Sequence, residues 1–403
     1  MSEWKSKKLG DFIKVKHGYA FKGKSITDEE TDAILVTPGN FKIGGGFKSS
    51  KFKYFNSDYP EDYVLSEGDI VVTMTDLSKE SDTLGYSAKI PSIKGKVLLH
   101  NQRIGLVEFI DNDVSRDYLY WLMRTAEYQW YCVSSASGTS IMHTSPSRIE
   151  DYDFKLPPPS EQHAIASVLS SLDDKIDLLH RQNQTLEQMA ETLFRQWFVE
   201  NPNPEWEERP LSEFGQIICG KTPSKKKPEY FDGEYPFIKI PDMHGKTFVF
   251  DTQDSLSEEG FLSQEKKALP AKSINVSCIA TVGLVTMNAF PSQTNQQINS
   301  IITDDEYRYY LYCEMKNSYD LLHAMASGGT ATLNLNTGNF SKIPVLQPDE
   351  ATLDRFNEFV SPMFDKIFEN QTQIRTLTAL RDTLLPKLMS GEVRVSESTL
   401  EKI

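Results

Sequence analysis

Trp4-Lys5-Ser6-Lys7-Lys8-Leu9-Gly10-Asp11-Phe12 returns as Trp206-Glu207-Glu208-Arg209-Pro210-Leu211-Ser212-Glu213-Phe214, about 202 residues later. Gly18 returns as Gly220 at the same offset. Tyr118-Leu119-Tyr120 and Met123 return as Tyr310-Leu311-Tyr312 and Met315. Ala136-Ser137-Gly138 returns as Ala326-Ser327-Gly328, and Asp174-Lys175-Ile176 as Asp365-Lys366-Ile367. The period is about half of the 403-residue chain, too long for a solenoid unit and right for a duplicated domain. Two similar but diverged domains in one chain suggest two similar jobs on two different targets.

Working outward from the repeat, the chain divides into five stretches. Residues 1–158 and 201–348 carry short β-rich runs, such as Asp69 to Thr73 and Ser277 to Thr281, punctuated by Gly, Asn and Pro. Each also holds helical stretches, such as Asp117 to Tyr131. That mixture predicts α+β domains. Residues 159–200 and 349–395 read as long helices, and 396–403 as a tail. Pro157-Pro158-Pro159 with Ser160 and Glu161 supplies the first helix start, and Pro386 is expected to break the second helix near its end. Asn201-Pro202-Asn203-Pro204 reads as a stiff linker.

The helices carry a heptad seam rather than a broad amphipathic face. The first seam is Ile165, Leu169, Leu172, Ile176, Leu179, Asn183, Leu186, Ala190, Leu193 and Trp197, spaced alternately by four and three. The second, about 191 residues later, is Phe356, Val360, Met363, Ile367, Asn370, Ile374, Leu377, Arg381, Leu384 and Leu388. Asn183 and Asn370 each place one amide in an apolar seam, a pattern that fixes register at some cost in stability. If a pseudo-two-fold axis relates the repeats, the helices form an antiparallel coiled coil. About 35 helical residues span roughly 50 Å. Half-sites one turn of B-DNA apart, about 34 Å, suit such a rod. The same heptads would equally suit a plain dimerisation hairpin.

Hydrophobic residues make up 39% of the chain, enough for each half to bury a core. No apolar run is long enough to span a membrane, and the first residues lack the apolar stretch of a signal peptide, so a cytoplasmic protein is expected. The four scattered cysteines form no C-x-x-C and read as reduced thiols. The net charge of −14 argues against a large bare nucleic-acid surface. Yet the first domain is nearly charge-balanced. It clusters Lys42, Lys48, Lys51 and Lys53 among Gly44-Gly45-Gly46 and several aromatics, and the second half carries Lys221, Lys225, Lys226 and Lys227. Local patches decide phosphate contact, although solvated surface lysines give the same pattern.

Catalytic motifs do not survive inspection. Gly215 to Thr222 fits G-x-x-x-x-G-K-[ST], but Gln216-Ile217-Ile218 puts a β-like run inside the loop, and the first repeat has Ile13 and Tyr19 where Gly215 and Lys221 stand. Pro241-Asp242 followed by Glu265-Lys266-Lys267 fits a loose metal-nuclease pattern, and the first repeat has Pro38-Gly39 in its place. The seven histidines show no H-E-x-x-H, and no G-x-S-x-G occurs. The base-flipping motif of amino-methyltransferases, Asn-Pro-Pro-Tyr or Asp-Pro-Pro-Tyr, is also missing, as is a glycine-rich cofactor loop. The chain reads as a binder; a stand-alone nuclease or methyltransferase, and a scaffold binding only protein, are the competing readings.

With its tandem architecture, the chain resembles the specificity subunits of type I restriction-modification systems over nearly its whole length. The marks are Trp4, Leu9-Gly10 and Gly18; Trp206, Leu211 and Gly220-Lys221-Thr222; Gly68-Asp69-Ile70-Val71; and Leu269-Pro270 with Val276-Ser277. Further marks are Asn101-Gln102-Arg103-Ile104 and Asn295-Gln296-Gln297-Ile298; Ser137-Gly138-Thr139 and Ser327 to Thr330; and Leu156-Pro157-Pro158-Pro159 with Glu161-Gln162. Gln347-Pro348-Asp349-Glu350-Ala351 departs from the family pattern at the second boundary.

The resemblance implies two target-recognition domains, each reading half of a bipartite site in double-stranded DNA, with the coiled coil setting the gap. It implies two methyltransferase subunits docked on the coil and two motor-nuclease subunits for restriction. S-adenosylmethionine, ATP and Mg2+ would sit on those partners, and this chain would carry no cofactor, no metal and no catalysis. Lys42, Lys48, Lys51, Lys53, Lys221, Lys225, Lys226 and Lys227 become candidate phosphate anchors. Gln102, Arg103, Gln296 and Gln297 become candidate base readers, glutamine for adenine and arginine for guanine, unless the Asn-Gln pairs only brace a loop. Gly138, Thr139, Ser140, Gly329 and Thr330 become candidate exposed loops where backbone approaches the duplex, or simple turns.

Overall fold

The computed structural model describes residues 4–76, 78, 81–111, 113–138, 141–327 and 332–395. The chain forms two compact units: residues 1–175 with 377–403, and residues 176–376. Each is an α+β domain with a length of both long helices packed into its core.

In the first unit, strands Ile13–His17, Ile104–Phe109, Ile70–Thr73 and Ser87–Lys89 form one antiparallel sheet. A second, five-stranded sheet is built around Ala33–Val36, which pairs in parallel with Val97–His100 so that Val36 faces His100. Both strands therefore end at the same edge. Lys5–Lys8 pairs with Asp153–Leu156, closing the domain on itself just before the first long helix. The core is capped by Tyr118, Trp121 and Tyr128, all fully buried.

The second unit repeats the plan. Gln216–Cys219, Ile298–Ile302, Ile274–Ser277 and Val285–Asn288 form the matching sheet, extended by Phe248–Val249. Glu208–Pro210 pairs with Pro344–Leu346 as the closing ladder. Phe231–Ile238 pairs in parallel with Gln293–Thr294, placing Ile238 opposite Thr294.

Several sequence expectations are corrected. The helix expected over Asp117 to Tyr131 is two helices, Arg116–Leu122 and Ala126–Ser134, because the Thr125 hydroxyl accepts from the Tyr128 amide and starts a new helix. The strand expected over Ser277 to Thr281 ends at Ser277. Ala280 adopts φ +66°, which a continuing strand cannot hold. Pro386 does not end its helix: Glu350–Ser390 runs through it.

The first long helix is Pro159–Phe194, continued by a π-helical turn over Arg195–Glu200. Its start is fixed by Gln162, whose Nε2 donates to the Pro157 carbonyl and whose Oε1 accepts from the Ser115 amide. Within the first unit, Ile165 and Leu169 share a core with Leu384 and Leu388 of the second helix. Within the second unit, Phe194 packs on Phe356, and Asn183 meets Asn370. In each unit, later residues of one helix meet earlier residues of the other, so the pairing is antiparallel. Every seam position is buried or half-buried, from Leu172, Ile176, Leu179, Leu186 and Leu193 to Val360, Met363, Ile367, Ile374 and Leu377.

Candidate nucleic-acid interface

The duplication is clearest in four contacts that occur in both units. The Trp4 indole Nε1 donates to Glu161 Oε2 at 3.1 Å, and Trp206 Nε1 donates to Asp349 Oδ2 at 3.0 Å. Tyr118 Oη donates to the Lys155 carbonyl, and Tyr310 Oη to that of Leu346. Asn40 Oδ1 accepts from the Thr37 amide, and Asp242 Oδ2 from the Lys239 amide, each at 2.9 Å. The structural counterpart of Asp242 is thus Asn40, not Gly39. Its other oxygen accepts from the Gln253 amide. Asp242 is a buried turn cap, and among the described residues no His, Cys, Asp and Glu cluster could hold a metal.

The fourth contact builds the loops that carry the candidate base readers. Gly18 lies so close to the Asn101 carbonyl that a Cβ would stand 2.1 Å from its oxygen, and Gly220 stands the same way to Asn295, at 2.2 Å. A side chain at either position would force the strands apart. Asn101 Oδ1 then accepts from the Arg103 amide at 2.9 Å, and Asn295 Oδ1 from the Gln297 amide at 3.0 Å. Asn101 and Asn295 are nearly buried and brace the turn; Gln102, Arg103 and Gln296 are exposed and Gln297 half-buried. The asparagine braces the turn in each unit, while the side chains that follow it face solvent.

The candidate lysines lie on surface segments of both units. Thr37 and Asn101 leave the same edge of the five-stranded sheet, since Val36 and His100 are parallel partners. The loop that bears Lys42 then turns to Ser87, whose carbonyl accepts from the Gly46 amide. Lys42, Lys48, Lys51 and Lys53 are all exposed. Lys53 pairs with Asp28, and Lys51 adopts φ +55°. In the second unit Lys221, Lys225, Lys226 and Lys227 are exposed, with Lys227 Nζ donating to Tyr230 Oη at 2.7 Å. Gly138 takes φ +115°, and a Cβ there would meet the Ile141 carbonyl. Thr139, Ser140, Gly329 and Thr330 lie outside the described residues.

The phosphate-loop pattern at Gly215 to Thr222 resolves into a strand. Gln216–Cys219 is an extended edge strand paired with Ile298–Ile302, not a loop opening a helix, so it lacks the converging amides that cradle an anion.

Sequence reasoning missed how each domain grips the helices. Arg124, buried, donates to the Gly44 carbonyl, packs over the Trp121 ring at 4.2 Å, and pairs with Asp173 of the first helix at 2.6 Å. Asp173 also pairs with Arg381 of the second helix. Burial alone would raise the Asp173 carboxyl, but Arg124 and Arg381 hold it below its ordinary value. The second unit has Lys316 where the first has Arg124, and Lys316 bonds Glu187 and Glu191. A lone basic residue after Tyr-Leu-Tyr in each repeat was the available signal.

Comparison with known proteins agrees with this plan. A family model, the type I restriction modification DNA specificity domain, matches residues 1–188 and again 203–376. The chain is 35% identical to the type I restriction enzyme HindI specificity subunit of Haemophilus influenzae, over 84% of this chain and 95% of that one. It is 27% identical to the MjaIX specificity subunit of Methanocaldococcus jannaschii, over 78% and 76%. A crystal structure of a type I restriction-modification system S subunit from M. genitalium shares the fold, with a TM-score of 0.59 at 17% identity over 96% of each chain. Two matches to one domain family cover most of both units and leave out residues 189–202, chiefly the end of the first long helix, and residues 377–403. The chain belongs to the type I restriction modification DNA specificity domain family, as a specificity subunit with two tandem copies of that domain.

Proposed function

We propose that each unit reads one half of a bipartite double-stranded DNA site and that the paired helices set the gap between the halves. The observation that carries this is the twice-built loop: a glycine against a strand end, a buried asparagine brace, and polar side chains after it that face solvent. Braces of the same design with different readers, Gln102-Arg103 and Gln296-Gln297, suit two domains that read different sequences. The lysines would anchor phosphates without sequence preference. Net charge of −14 limits how firmly the lone chain holds DNA, so partners would share the phosphate grip.

In this reading two methyltransferase subunits dock on the helices and carry S-adenosylmethionine, and two motor-nuclease subunits bring ATP and Mg2+ chemistry. The work takes place in the cytoplasm, and this chain supplies the address while its partners supply the reactions. Among the described residues no helix is long and apolar enough to cross a membrane. Exchange of residues 1–158 for the matching domain of a relative tests the reading, with methylation mapped in cells expressing the chain and its methyltransferase partner. One half of the motif should change and the other persist; a change in both halves, or in neither, sinks it.

A further inference from the structure

The two reading loops share a brace but differ in one hydroxyl. In the second unit Thr222 Oγ1 donates to Gln296 Oε1 at 2.9 Å. The first unit has Ala20 at the offset of Thr222, so nothing equivalent can hold Gln102. Thr222 is itself fixed from both sides. The Lys221 amide donates to the Thr294 carbonyl at 2.9 Å, and Gln264 Nε2 donates to the Lys221 carbonyl at 3.3 Å. Gln264 sits against Gln293, which is fully buried and donates to the Phe261 and Gln264 carbonyls. A chain of amides therefore runs from the buried core to the hydroxyl that touches Gln296.

A free glutamine amide offers one acceptor and two donor hydrogens, and so matches adenine, which presents an acceptor at N7 and a donor at N6. With one of its two Oε1 lone pairs taken by Thr222, Gln296 presents its NH2 group as the freer end. Gln297 is held alike, its Oε1 accepting from Asn295 Nδ2 at 3.0 Å. Among the described residues neither Nε2 donates to a protein atom. Two free donor hydrogens beside a half-occupied acceptor favour guanine, whose major-groove edge presents acceptors at N7 and O6. The asparagine or glutamine preference for adenine is thereby inverted by a neighbour.

We propose that Thr222 acts as a positioning residue that orients Gln296 with its NH2 group leading, biasing it toward donation, so that the second half-site holds a G·C pair where Gln296 touches it. This rests on the reading of the second unit as a half-site reader. Failure of that reading would show first, as the lack of a bipartite motif for the unaltered chain.

The test uses the chain assembled with its methyltransferase partner, and duplexes with each second-half-site position permuted in turn. Gln296→Ala should flatten discrimination at one pair, by roughly tenfold or more, and that pair should be G·C. Thr222→Val, which keeps the shape and removes the donor, should shift the same pair toward A·T. Thr222→Ser should retain G·C. First-half-site discrimination should stay intact throughout and reports folding. The proposal is overturned if the flattened pair is A·T, if no pair or several pairs flatten, or if Thr222→Val keeps the G·C preference. It is also overturned if Gln296→Ala abolishes DNA binding outright, which would assign Gln296 to the fold.

Discussion

Asn370 Nδ2 donates to Asn183 Oδ1 at 2.9 Å across the helix seam, with both side chains buried. Asn370 Oδ1 has no hydrogen-bond partner among the described residues. One bond is made and one buried acceptor is left over, so the pair is a poor device for stability and a good one for register. Any shift of one helix against the other would bury both amides among leucines and isoleucines.

Asn183→Leu should therefore destabilise the chain by about 1–3 kcal/mol, since it strands a buried amide donor. Asn183→Leu combined with Asn370→Leu should recover that loss or exceed the parent. A double-mutant cycle by thermal denaturation measures the coupling. If the single change costs nothing, Asn370 has another partner and the register argument fails.

Asp173 joins the two helices to the first domain through Arg124 and Arg381. Asp173→Asn should leave Arg124, 4% exposed at its side chain, without a counter-charge. The expected loss is about 2–3 kcal/mol, below the range for a fully buried pair because Asp173 is 23% exposed. The parent carboxyl is depressed below its ordinary value. Its stabilisation is therefore complete above the unfolded pKa, about 3.9. It disappears as pH falls through the lower folded value. Melting curves between pH 7 and pH 3 should show a steeper acid loss in the parent than in Asp173→Asn.

His100 closes the strand that leads into Asn101. Burial pushes its imidazole down to about 4, and Nε2 donates to the Ile104 carbonyl at 2.8 Å. The folded protein thus keeps His100 neutral where the unfolded chain already binds a proton. Stability should be full above about pH 6.5 and fall as pH drops toward 4, by up to about 3 kcal/mol from this group. His100→Gln, which keeps a donor for the Ile104 carbonyl, should flatten the loss in that window. An unchanged pH profile would mean that His100 does not drive it.

The seam was legible because a heptad needs only its own periodicity, and Asn183 and Asn370 stood out as the polar exceptions. The tandem α+β plan was legible from the repeated Trp, Leu, Gly and Tyr-Leu-Tyr positions. Element ends were less so: Thr125 restarts a helix through a side-chain cap, and Ala280 leaves a strand through a left-handed φ that sequence does not announce. Asp349 stood out as a departure from the family pattern, yet its carboxylate serves Trp206 as Glu161 serves Trp4. Thr222 was masked by a phosphate-loop pattern. Its contact with Gln296 exists only because the strands ending at Cys219 and starting at Ile298 pair in one register.

Helix length is the remaining quantity the proposed function depends on. Four residues inserted after Lys175, matched by four inserted after Leu377, fall where the two compact units meet along the chain and add about 6 Å of rise to both helices while keeping their antiparallel partners opposed. An insertion in one helix alone would slide half of its layers past the other. Four residues make a stutter, which a heptad seam absorbs by local unwinding. The Asn183–Asn370 bond survives, because both residues stay on the same side of the insertions. The added rise approaches two base pairs at about 3.4 Å each. The reading loops at Gln102 and Gln296 lie far from the insertions in sequence and keep their braces. Methylation mapped in cells expressing the lengthened chain with its methyltransferase partner should show a longer gap between unchanged half-site sequences. A parental gap with full methylation would show that the helices do not set the spacing. A parental melting temperature with no methylation would place the failure in partner docking, since the fold itself would be intact.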